Sequence, residues 1–347
     1  MATKVLTIVG ARPQFVKAAA VSREVLANPG LVEVMVHTGQ HFDPEMSDIF
    51  FDELQIPPPA HHLDIHGGGH GAMTGRMLAA VEEIMLEERP DWVLVYGDTN
   101  STLAGALAAA KLHVRVAHVE AGLRSFNRRM PEEVNRVLTD HVSALLLCPT
   151  QTAVRNLAGE GIERGVVHTG DVMFDATLHA VDQARRRSDI LARLGLEPGR
   201  FALATLHRAE NTDSPEQLGR VIAWLRERAS EMPVVFPIHP RTRQATARAG
   251  IGLDGLVTCA PVGYLDMTRL TEASAAVYTD SGGLQKEAYF HRKPCVTLRD
   301  ETEWVETIEC GWNRLWSQPD YEPRRDIGDY GSGHAAKRIV DLIVAAG

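Results

Sequence analysis

The chain has 347 residues, of which 44% are hydrophobic and 23% are charged, and its formal net charge is −9. This length suits two domains rather than one. The negative charge argues against nucleic acid as the main partner, since a face that binds nucleic acid needs a dense basic stripe. A small anionic ligand is still allowed, because it needs only a few local cations and N–H groups.

The sequence also predicts a protein of the reducing cytoplasm with no membrane partner. No window approaches about 18 uninterrupted apolar residues, and the N-terminal MATKVLTIVG has no signal-peptide core or cleavage site. The four cysteines show no paired spacing, and Cys148, Cys259 and Cys295 lie in apolar runs that are typical of buried thiols.

Short β-branched runs alternate with longer helical patterns along the whole chain. Runs such as VLVY and VVFPI are apolar on successive residues, as in strands that are buried on both faces of a parallel sheet. The predicted strands are 4–9, 32–38, 92–97, 114–119, 144–148 and 166–169 in the first half, and 201–206, 233–238, 255–260, 276–279 and 294–298 in the second half. The predicted helices include 101–112, 131–143, 215–229, 284–291 and 334–346.

This alternation predicts an α/β fold with two doubly wound, Rossmann-like domains that face a central cleft. We expect the first domain at 1–172 and the second at 173–332. The last segment, 333–347, is expected to form a helix that packs back on the first domain.

Polar side chains recur at the predicted carboxyl ends of strands, where doubly wound sheets bind their ligands. They include Arg12, Lys17, Asp98, Glu120, Glu132, Glu133, Arg136, His207, Arg208, His239 and Arg241. Two simpler interpretations stay open. Asp98 can merely cap the helix that follows it, and Glu132 with Arg136 can form a surface pair worth about 0.3–0.5 kcal/mol.

The segment DSGGLQKEAYFHRKPCVTLRDETE, residues 280–303, is typical of a strand end, a Ser-Gly-Gly turn and a helix. The N–H groups of a helix N-terminus favour an anion, and Gly282 and Gly283 let a phosphate approach the main chain. Glu287, one turn deeper, can accept hydrogen bonds from a ribose. The segment predicts a nucleotide diphosphate site without the Lys-Ser/Thr of a P-loop.

The cluster of His61, His62, His66 and His70 invites a metal interpretation. The intervening GGG at 67–69 would break a helix that aligned these side chains, and no cysteine or carboxylate completes a ligand set. A mobile polar loop is therefore predicted here, and no metal site.

Several segments resemble, in order, those of the non-hydrolysing UDP-N-acetylglucosamine 2-epimerases, over nearly the whole chain. They are GARPQFVK (10–17), YGDTNSTLAG (96–105), HVEAGLRS (118–125), MPEEVNRVLTDH (130–141), LHRAENT (206–212), PIHPRT (237–242), DSGGLQKEA (280–288) and LRDETE (298–303). The resemblance implies a glycosyltransferase-B-like fold that holds the nucleotide mainly in its second domain. It also implies a UDP-sugar substrate, no metal, no redox cofactor and a homodimer.

The same resemblance implies roles for individual residues. Asp98, Glu120 and Glu132 match the proposed acid/base carboxylates, and His207 is counted with them as catalytic. The residues implied in substrate binding are Arg12, Lys17, Arg136, His239, Arg241, Ser281, Gly282, Gly283 and Glu287.

The family interconverts UDP-N-acetylglucosamine and UDP-N-acetylmannosamine by inverting C2. Departure of UDP from C1 makes the C2 hydrogen removable by a carboxylate, while cations and N–H groups stabilise the leaving UDP. Anti elimination gives 2-acetamidoglucal, and syn re-addition of UDP with protonation on the other face completes the inversion. More than one acid/base group is therefore needed.

The chain departs from the ordinary branch of the family in segments that bear on the choice of substrate. TEWVE (302–306) stands where that branch has Thr-Glu-Arg-Pro-Glu, whereas 38–54 and HRAENTD (207–213) resemble the branch acting on UDP-2,3-diacetamido-2,3-dideoxy-glucuronic acid. We place UDP-N-acetylglucosamine first and the diacetamido uronate second.

His41 and Phe42 differ from the pattern of members that bind a second UDP-N-acetylglucosamine as an activator, so such activation is not expected. A glycosyltransferase of the same fold and a sugar-nucleotide sensor are weaker alternatives, because neither needs three carboxylates. An epimerase that hydrolyses its substrate also stays open.

Overall fold

The computed structural model describes residues 2–40, 53–54 and 56–346, apart from the side chain of Arg12. The chain divides into two compact units, the first formed by Met1–Leu178 with Gly328–Gly347 and the second by His179–Ile327. The predicted boundary at 172/173 falls at the first residue of helix Val172–Arg187, and the division lies inside that helix.

The first unit is built on a seven-stranded parallel sheet of order β3-β2-β1-β4-β5-β6-β7. Its strands are β1 (Thr3–Val9), β2 (Leu31–His37), β3 (His61–His62), β4 (Trp92–Tyr96), β5 (Arg115–Val119), β6 (Leu145–Cys148) and β7 (Val166–His168). Its helices are α1 (Arg12–Leu26), α2 (His70–Glu88), α3 (Asn100–Lys111), α4 (Pro131–Val142), α5 (Gln151–Gly159), α6 (Val172–Arg187) and, after the second unit, α14 (Ala335–Ala345).

The centre of this sheet is the core of the first unit. Leu6 and Ile8 of β1 and Val93 and Val95 of β4 are fully buried, and Val81 of α2 packs in the same cluster. Full burial of such a side chain stabilises the fold by roughly 1.5–3 kcal/mol. The strand order reverses between β1 and β4, so the loops that follow these two strands lie at a topological switch point.

The second unit has a six-stranded parallel sheet of order β10-β9-β8-β11-β12-β13. Its strands are β8 (Ala202–Thr205), β9 (Val234–Pro237), β10 (Val257–Cys259), β11 (Ala276–Thr279), β12 (Cys295–Thr297) and β13 (Asn313–Leu315). Its helices are α7 (Ile190–Arg193), α8 (Ala209–Thr212), α9 (Pro215–Ala229), α10 (Pro240–Ala249), α11 (Tyr264–Ala273), α12 (Gly282–Phe290) and α13 (Val305–Glu309).

The core of the second unit also lies at the centre of its sheet. Leu203, Val235 and Val277 of adjacent strands are fully buried, and Leu270 of α11 and Leu284 of α12 pack against them. The strand order reverses between β8 and β11, which places a second switch point at the loops after these strands.

The predicted α/β class with parallel sheets is confirmed. Two short edge strands, β3 and β13, escape prediction because their residues, HH and NRL, form no apolar run. The loop predicted at His61 and His62 is wrong for these two residues, which pair with Val36 and His37 of β2. The His62 ring stacks on that of His37 at 4.3 Å, and such stacking favours the extended pairing.

Three smaller observations complete the fold. Cys148 and Cys295 are buried as predicted, but Cys259 is only half-buried. No helix among the described residues has the length and apolar character needed to cross a membrane. His41, Phe42 and most of the segment 38–54 lie outside the described residues. The predictions that use them concern activation by a second sugar nucleotide and the branch of the family.

Candidate active site

The loop after β1 is fixed to the end of β4 by Gln14. The Gln14 side chain accepts from the Gly10 N–H at 2.8 Å and donates to the Tyr96 carbonyl at 2.9 Å. A Cβ on Gly10 would lie 2.0 Å from Oγ1 of Thr38, so no larger residue fits this close approach. Arg12 is the first residue of α1, directly after this loop.

Glu120 follows β5 and forms an ion pair with Lys17 of α1. Their side chains are only 8% and 10% exposed, respectively, so the two charges lie largely out of water. Glu120 has a φ of +69°, a backbone conformation that costs a non-glycine residue of order 1 kcal/mol or more. The surrounding structure therefore holds this carboxylate in place against a local preference, as functional sites often do.

Asp98 follows β4 and pairs with the guanidinium of Arg136, which is 6% exposed and lies in α4. The helix after Asp98 is capped by Thr99, whose hydroxyl accepts from the Thr102 N–H at 3.3 Å. The interpretation of Asp98 as the helix cap is therefore wrong. Burial of Arg136 also makes it unsuitable as the exposed member of a surface pair.

Glu133 is the carboxylate that secures the loop before α4. It accepts from the Ser125 and Phe126 N–H groups at 2.9 Å each, and from Nη1 of Arg136 at 2.8 Å. Burial by itself raises the pKa of Glu133, but the Ser125 hydrogen bonds and the Arg136 charge outweigh it and leave the pKa below its ordinary value. Glu133 is thus ionised, and its carboxylate is engaged in hydrogen bonds within the fold.

Glu132 contrasts with its neighbour. It is half-buried in the first turn of α4, and no hydrogen bond or ion pair joins its side chain to another described residue. Of the two consecutive glutamates, Glu132 is therefore the one with a carboxylate that is not committed to the fold.

In the second unit, buried Asp280 joins the end of β11 to the loop after β8. Its carboxylate accepts from the His207 and Arg208 N–H groups at 3.0 and 2.8 Å, and from the Asn211 side chain at 3.2 Å. Nδ1 of His207 lies 3.3 Å from the other Asp280 oxygen. These contacts span the second switch point and fix the position of His207.

His207 and His239 lie close together, with ring centroids 5.7 Å apart. Nδ1 of His239 accepts from the Arg241 N–H at 3.2 Å, so the histidine caps α10. The Arg241 guanidinium instead forms an ion pair with Asp213 at 2.6 Å. The structure therefore groups the two histidines, while Arg241 is held by an acidic side chain.

The sequence predicts an anion site at the N-terminus of α12. Ser281 is its N-cap residue and makes no side-chain capping bond. A Cβ on Gly282 would lie 2.2 Å from Oε1 of Glu303, whereas a Cβ on Gly283 would meet only Oγ of Ser281, at 4.0 Å. A residue with a Cβ at position 282 would displace the Glu303 carboxylate, whereas Gly283 leaves the helix end open. Glu287 lies half-buried one turn further along α12.

The segment that differs from the ordinary family pattern packs beside this helix. The Arg299 guanidinium is 2% exposed and pairs with Glu303 at 3.1 Å, which holds the Glu303 carboxylate near Gly282. Trp304 is 4% exposed and its ring lies 3.9 Å from Nζ of Lys286. Trp304 therefore fills space next to the predicted diphosphate site.

The structure thus gathers the predicted residues into two groups, one at each switch point. The first-unit group contains Lys17, Asp98, Glu120 and Arg136, and the second-unit group contains His207, His239, Ser281, Gly282 and Gly283. The sequence places Glu133 among the polar groups at strand ends, and Asp280, Arg299 and Glu303 within the segment 280–303, but it gives none of the four an individual role. Asp280 carries the clearest signal, because it directly precedes the Ser-Gly-Gly turn.

Two parallel sheets flanked by helices, with polar groups at their switch points, define a Rossmann-like α/β enzyme class with a glycosyltransferase-B-like fold. The sequence model of the UDP-N-acetylglucosamine 2-epimerase family matches residues 23–344, and the chain belongs to that family.

Three relatives narrow the comparison. The UDP-2,3-diacetamido-2,3-dideoxy-D-glucuronate 2-epimerase of Pseudomonas aeruginosa is 52% identical over 98% of this chain and 99% of its own length. A UDP-N-acetylglucosamine 2-epimerase homolog of Methanococcus maripaludis is 49% identical over 98% and 99% of the two chains. The crystal structure of Methanocaldococcus jannaschii UDP-GlcNAc 2-epimerase in complex with UDP-GlcNAc and UDP is similar over 100% of both chains, with a TM-score of 0.89 and 38% identity.

Proposed function

We propose that the protein inverts C2 of UDP-2,3-diacetamido-2,3-dideoxy-D-glucuronate. The observation that carries this proposal is the 52% identity to the Pseudomonas aeruginosa enzyme named for that substrate, over nearly the full length of both chains. The relatives favour this substrate over UDP-N-acetylglucosamine, which we placed first from the sequence. The homodimer that the family resemblance implies stays a prediction.

The proposed reaction begins with elimination. A carboxylate takes the C2 proton as the C1–O bond breaks, the electron pair of that bond leaves with UDP, and the C–H pair forms a C1=C2 double bond. UDP then returns to C1 on the face it left, and a proton reaches C2 on the face opposite to the one from which the first proton was taken, which is the face that UDP occupies. We assign these two proton transfers to Asp98, Glu120 and Glu132, with two of the three already next to cations in Arg136 and Lys17.

The second unit contributes nucleotide binding in this proposal. The open N-terminus of α12 provides N–H groups for the diphosphate, and Glu287 accepts hydrogen bonds from the ribose. His207, which Asp280 fixes at the adjacent loop, lies where it can stabilise negative charge on the leaving UDP.

UDP-N-acetylglucosamine is the second candidate substrate. It is favoured by the similarity to the Methanocaldococcus jannaschii structure, which was solved with that sugar nucleotide. The two sugars differ at C6, where the uronate has a carboxylate, and at C3, where it has an acetamido group. In a site built for the uronate, the protein groups that bind these two substituents have no partner when UDP-N-acetylglucosamine binds.

The experiment is a comparison of kcat/KM for the two sugar nucleotides with purified protein. We expect at least about a 100-fold preference for the diacetamido uronate, because an enzyme discriminates strongly against a substrate that leaves buried polar groups without partners. An equal or reversed preference would contradict the proposed substrate. Absence of turnover with both would contradict the epimerase activity itself.

A variant with a changed carboxylate is the control: it shows whether the turnover comes from this protein, and whether the change affects the chemical step or the binding of UDP. Asp98→Asn keeps the size of the side chain and removes its charge, so it should lower kcat by about 100-fold or more with whichever sugar is turned over. UDP affinity, measured by isothermal titration calorimetry, should stay within about twofold, since we assign nucleotide binding to the second unit.

A further inference from the structure

A buried charge network lies behind the first-unit group, with His118 of β5 at its centre. His118 is 0% exposed, and its Nδ1 lies 2.7 Å from Oδ1 of Asp140. Its Nε2 lies 2.7 Å from the carbonyl oxygen of Gly97. The histidine therefore bridges α4 and the turn that leaves β4.

Both partners of this ring can only accept hydrogen bonds. A carbonyl oxygen carries no proton, and Asp140 already accepts from the Gly122 N–H at 3.1 Å and from Nη1 of Arg124 at 2.7 Å, as an ionised carboxylate does. His118 is therefore placed to donate a hydrogen bond from each ring nitrogen.

Charged side chains surround the ring. Arg124 also forms a two-point ion pair with Glu160 at 2.7 Å, so its guanidinium lies between two carboxylates. Burial by itself raises the pKa of Asp140, but the charges and hydrogen bonds of His118 and Arg124 outweigh it and hold that pKa below its ordinary value. The nearby thiol of Cys148 stays neutral, because burial raises its pKa to about 12.

The Gly97 turn connects this network with the carboxylates. The Gly97 N–H donates to the Val119 carbonyl at 3.0 Å, so His118 and the strand main chain hold the residue from both sides. Gly97 has a φ of +62°, and a Cβ placed on it would lie 3.3 Å from both Oε2 of Glu120 and Nζ of Lys17. The next residue is Asp98. A displacement of Gly97 would therefore move Asp98 and disturb the Lys17–Glu120 pair together.

We propose that His118 is a positioning residue of the epimerase, which ties the Gly97–Asp98 turn to β5 and α4 through its two ring nitrogens and so sets the separation of Asp98 and Glu120. This inference rests on the proposed function, because it requires these two carboxylates to be the acid/base groups. His118 itself touches neither substrate nor the reacting atoms.

Two amide variants separate this role from a purely structural one. In His118→Gln the amide nitrogen takes the place of Nε2 and keeps the bond to Gly97, but the contact with Oδ1 of Asp140 is lost. In His118→Asn the amide nitrogen takes the place of Nδ1 and keeps the bond to Asp140, but the bond to Gly97 is lost. Glutamine should therefore be the less stable variant and the more active one.

The expected activities follow from geometry. Because displacement by about 1 Å can cost 100-fold in rate, we expect kcat to fall about 100-fold in His118→Asn and about 10-fold or less in His118→Gln. KM and UDP affinity should change less than about threefold in both. Urea unfolding should give the opposite order of stability. If kcat follows the order of stability instead, His118 is a structural residue and the inference is overturned.

A second measurement on the unaltered protein does not depend on activity. With 15N-labelled histidine, NMR should show ring N–H signals from both nitrogens that are absent from His118→Gln. A single ring N–H would overturn the assignment of both nitrogens as hydrogen-bond donors. If the unaltered protein turns over neither sugar, the proposed function fails, and this spectrum still decides the state of the ring.

Discussion

Two neighbouring glutamates in α4 have different roles, although they carry the same functional group. Glu133 accepts three backbone or guanidinium hydrogen bonds and is 2% exposed, so its charge is spent on holding the loop that contains Ser125 and Phe126. Glu132 has no such partner among the described residues and is half-buried. At the scale of single residues, the pattern of hydrogen bonds thus distinguishes a structural carboxylate from a candidate acid or base.

The pair of variants Glu133→Gln and Glu132→Gln tests this distinction. Glu133→Gln should lower the free energy of unfolding by about 3 kcal/mol, because one partner of a buried ion pair is removed and a loop loses its acceptor. Glu132→Gln should cost less than about 0.5 kcal/mol, as expected for a change away from such a network, and yet reduce turnover strongly. Urea unfolding and steady-state kinetics on both variants give the answer. Similar destabilisation by both changes would contradict the division of roles.

At the scale of elements, the proposed nucleotide site depends on how α12 begins. Gly282 is pressed against Glu303, which the buried guanidinium of Arg299 holds from the other side. Gly283 faces open space at the same helix end. The first glycine therefore serves the packing of the second unit, and the second leaves N–H groups of the helix accessible to an anion.

Alanine at each position separates these two requirements. Gly282→Ala should lower the free energy of unfolding, because its methyl group would lie 2.2 Å from a carboxylate oxygen that the ion pair restrains. Gly283→Ala should raise it by roughly 0.5–1 kcal/mol, the ordinary gain for alanine over glycine in a helix. If the diphosphate binds at this helix end, Gly283→Ala should still weaken UDP binding measured by calorimetry. UDP affinity equal to that of the unaltered protein would remove the helix end from the binding site.

At the scale of the whole molecule, the sequence predicts both sheets because most of their strands lie in apolar runs between helical patterns. It does not predict β3 and β13, since their residues, HH and NRL, form no such run. The residues at the switch points can be predicted because the ends of the strands can be predicted from the sequence. Two details are not predictable, because they depend on the loops that pack against each helix. They are the choice of the buried glutamate in α4 and the capping of α3 by Thr99 rather than Asp98.

The buried carboxylates also predict how stability depends on pH. The pKa values of Asp140 and Glu133 are lowered in the folded protein, so their contribution is complete above the unfolded pKa of about 4 and is lost as the pH falls through the lower folded values. The free energy of unfolding should therefore be level near pH 6 and decline below about pH 4. Asp140→Asn should flatten this decline, as followed by urea unfolding with hydrogen exchange of first-unit amides. A decline that is equally steep in the variant would contradict the assignment.

The measurement that tests the account most directly is proton NMR of the protein with UDP-2,3-diacetamido-2,3-dideoxy-D-glucuronate in D2O, followed over time. We predict that the C2 proton signal of the sugar disappears as deuterium enters, and that the signals of the C2 epimer appear with UDP still attached. A parallel sample with UDP-N-acetylglucosamine should exchange far more slowly. Retention of the C2 proton in both sugars, or release of free UDP in place of an epimer, would contradict a non-hydrolysing 2-epimerase.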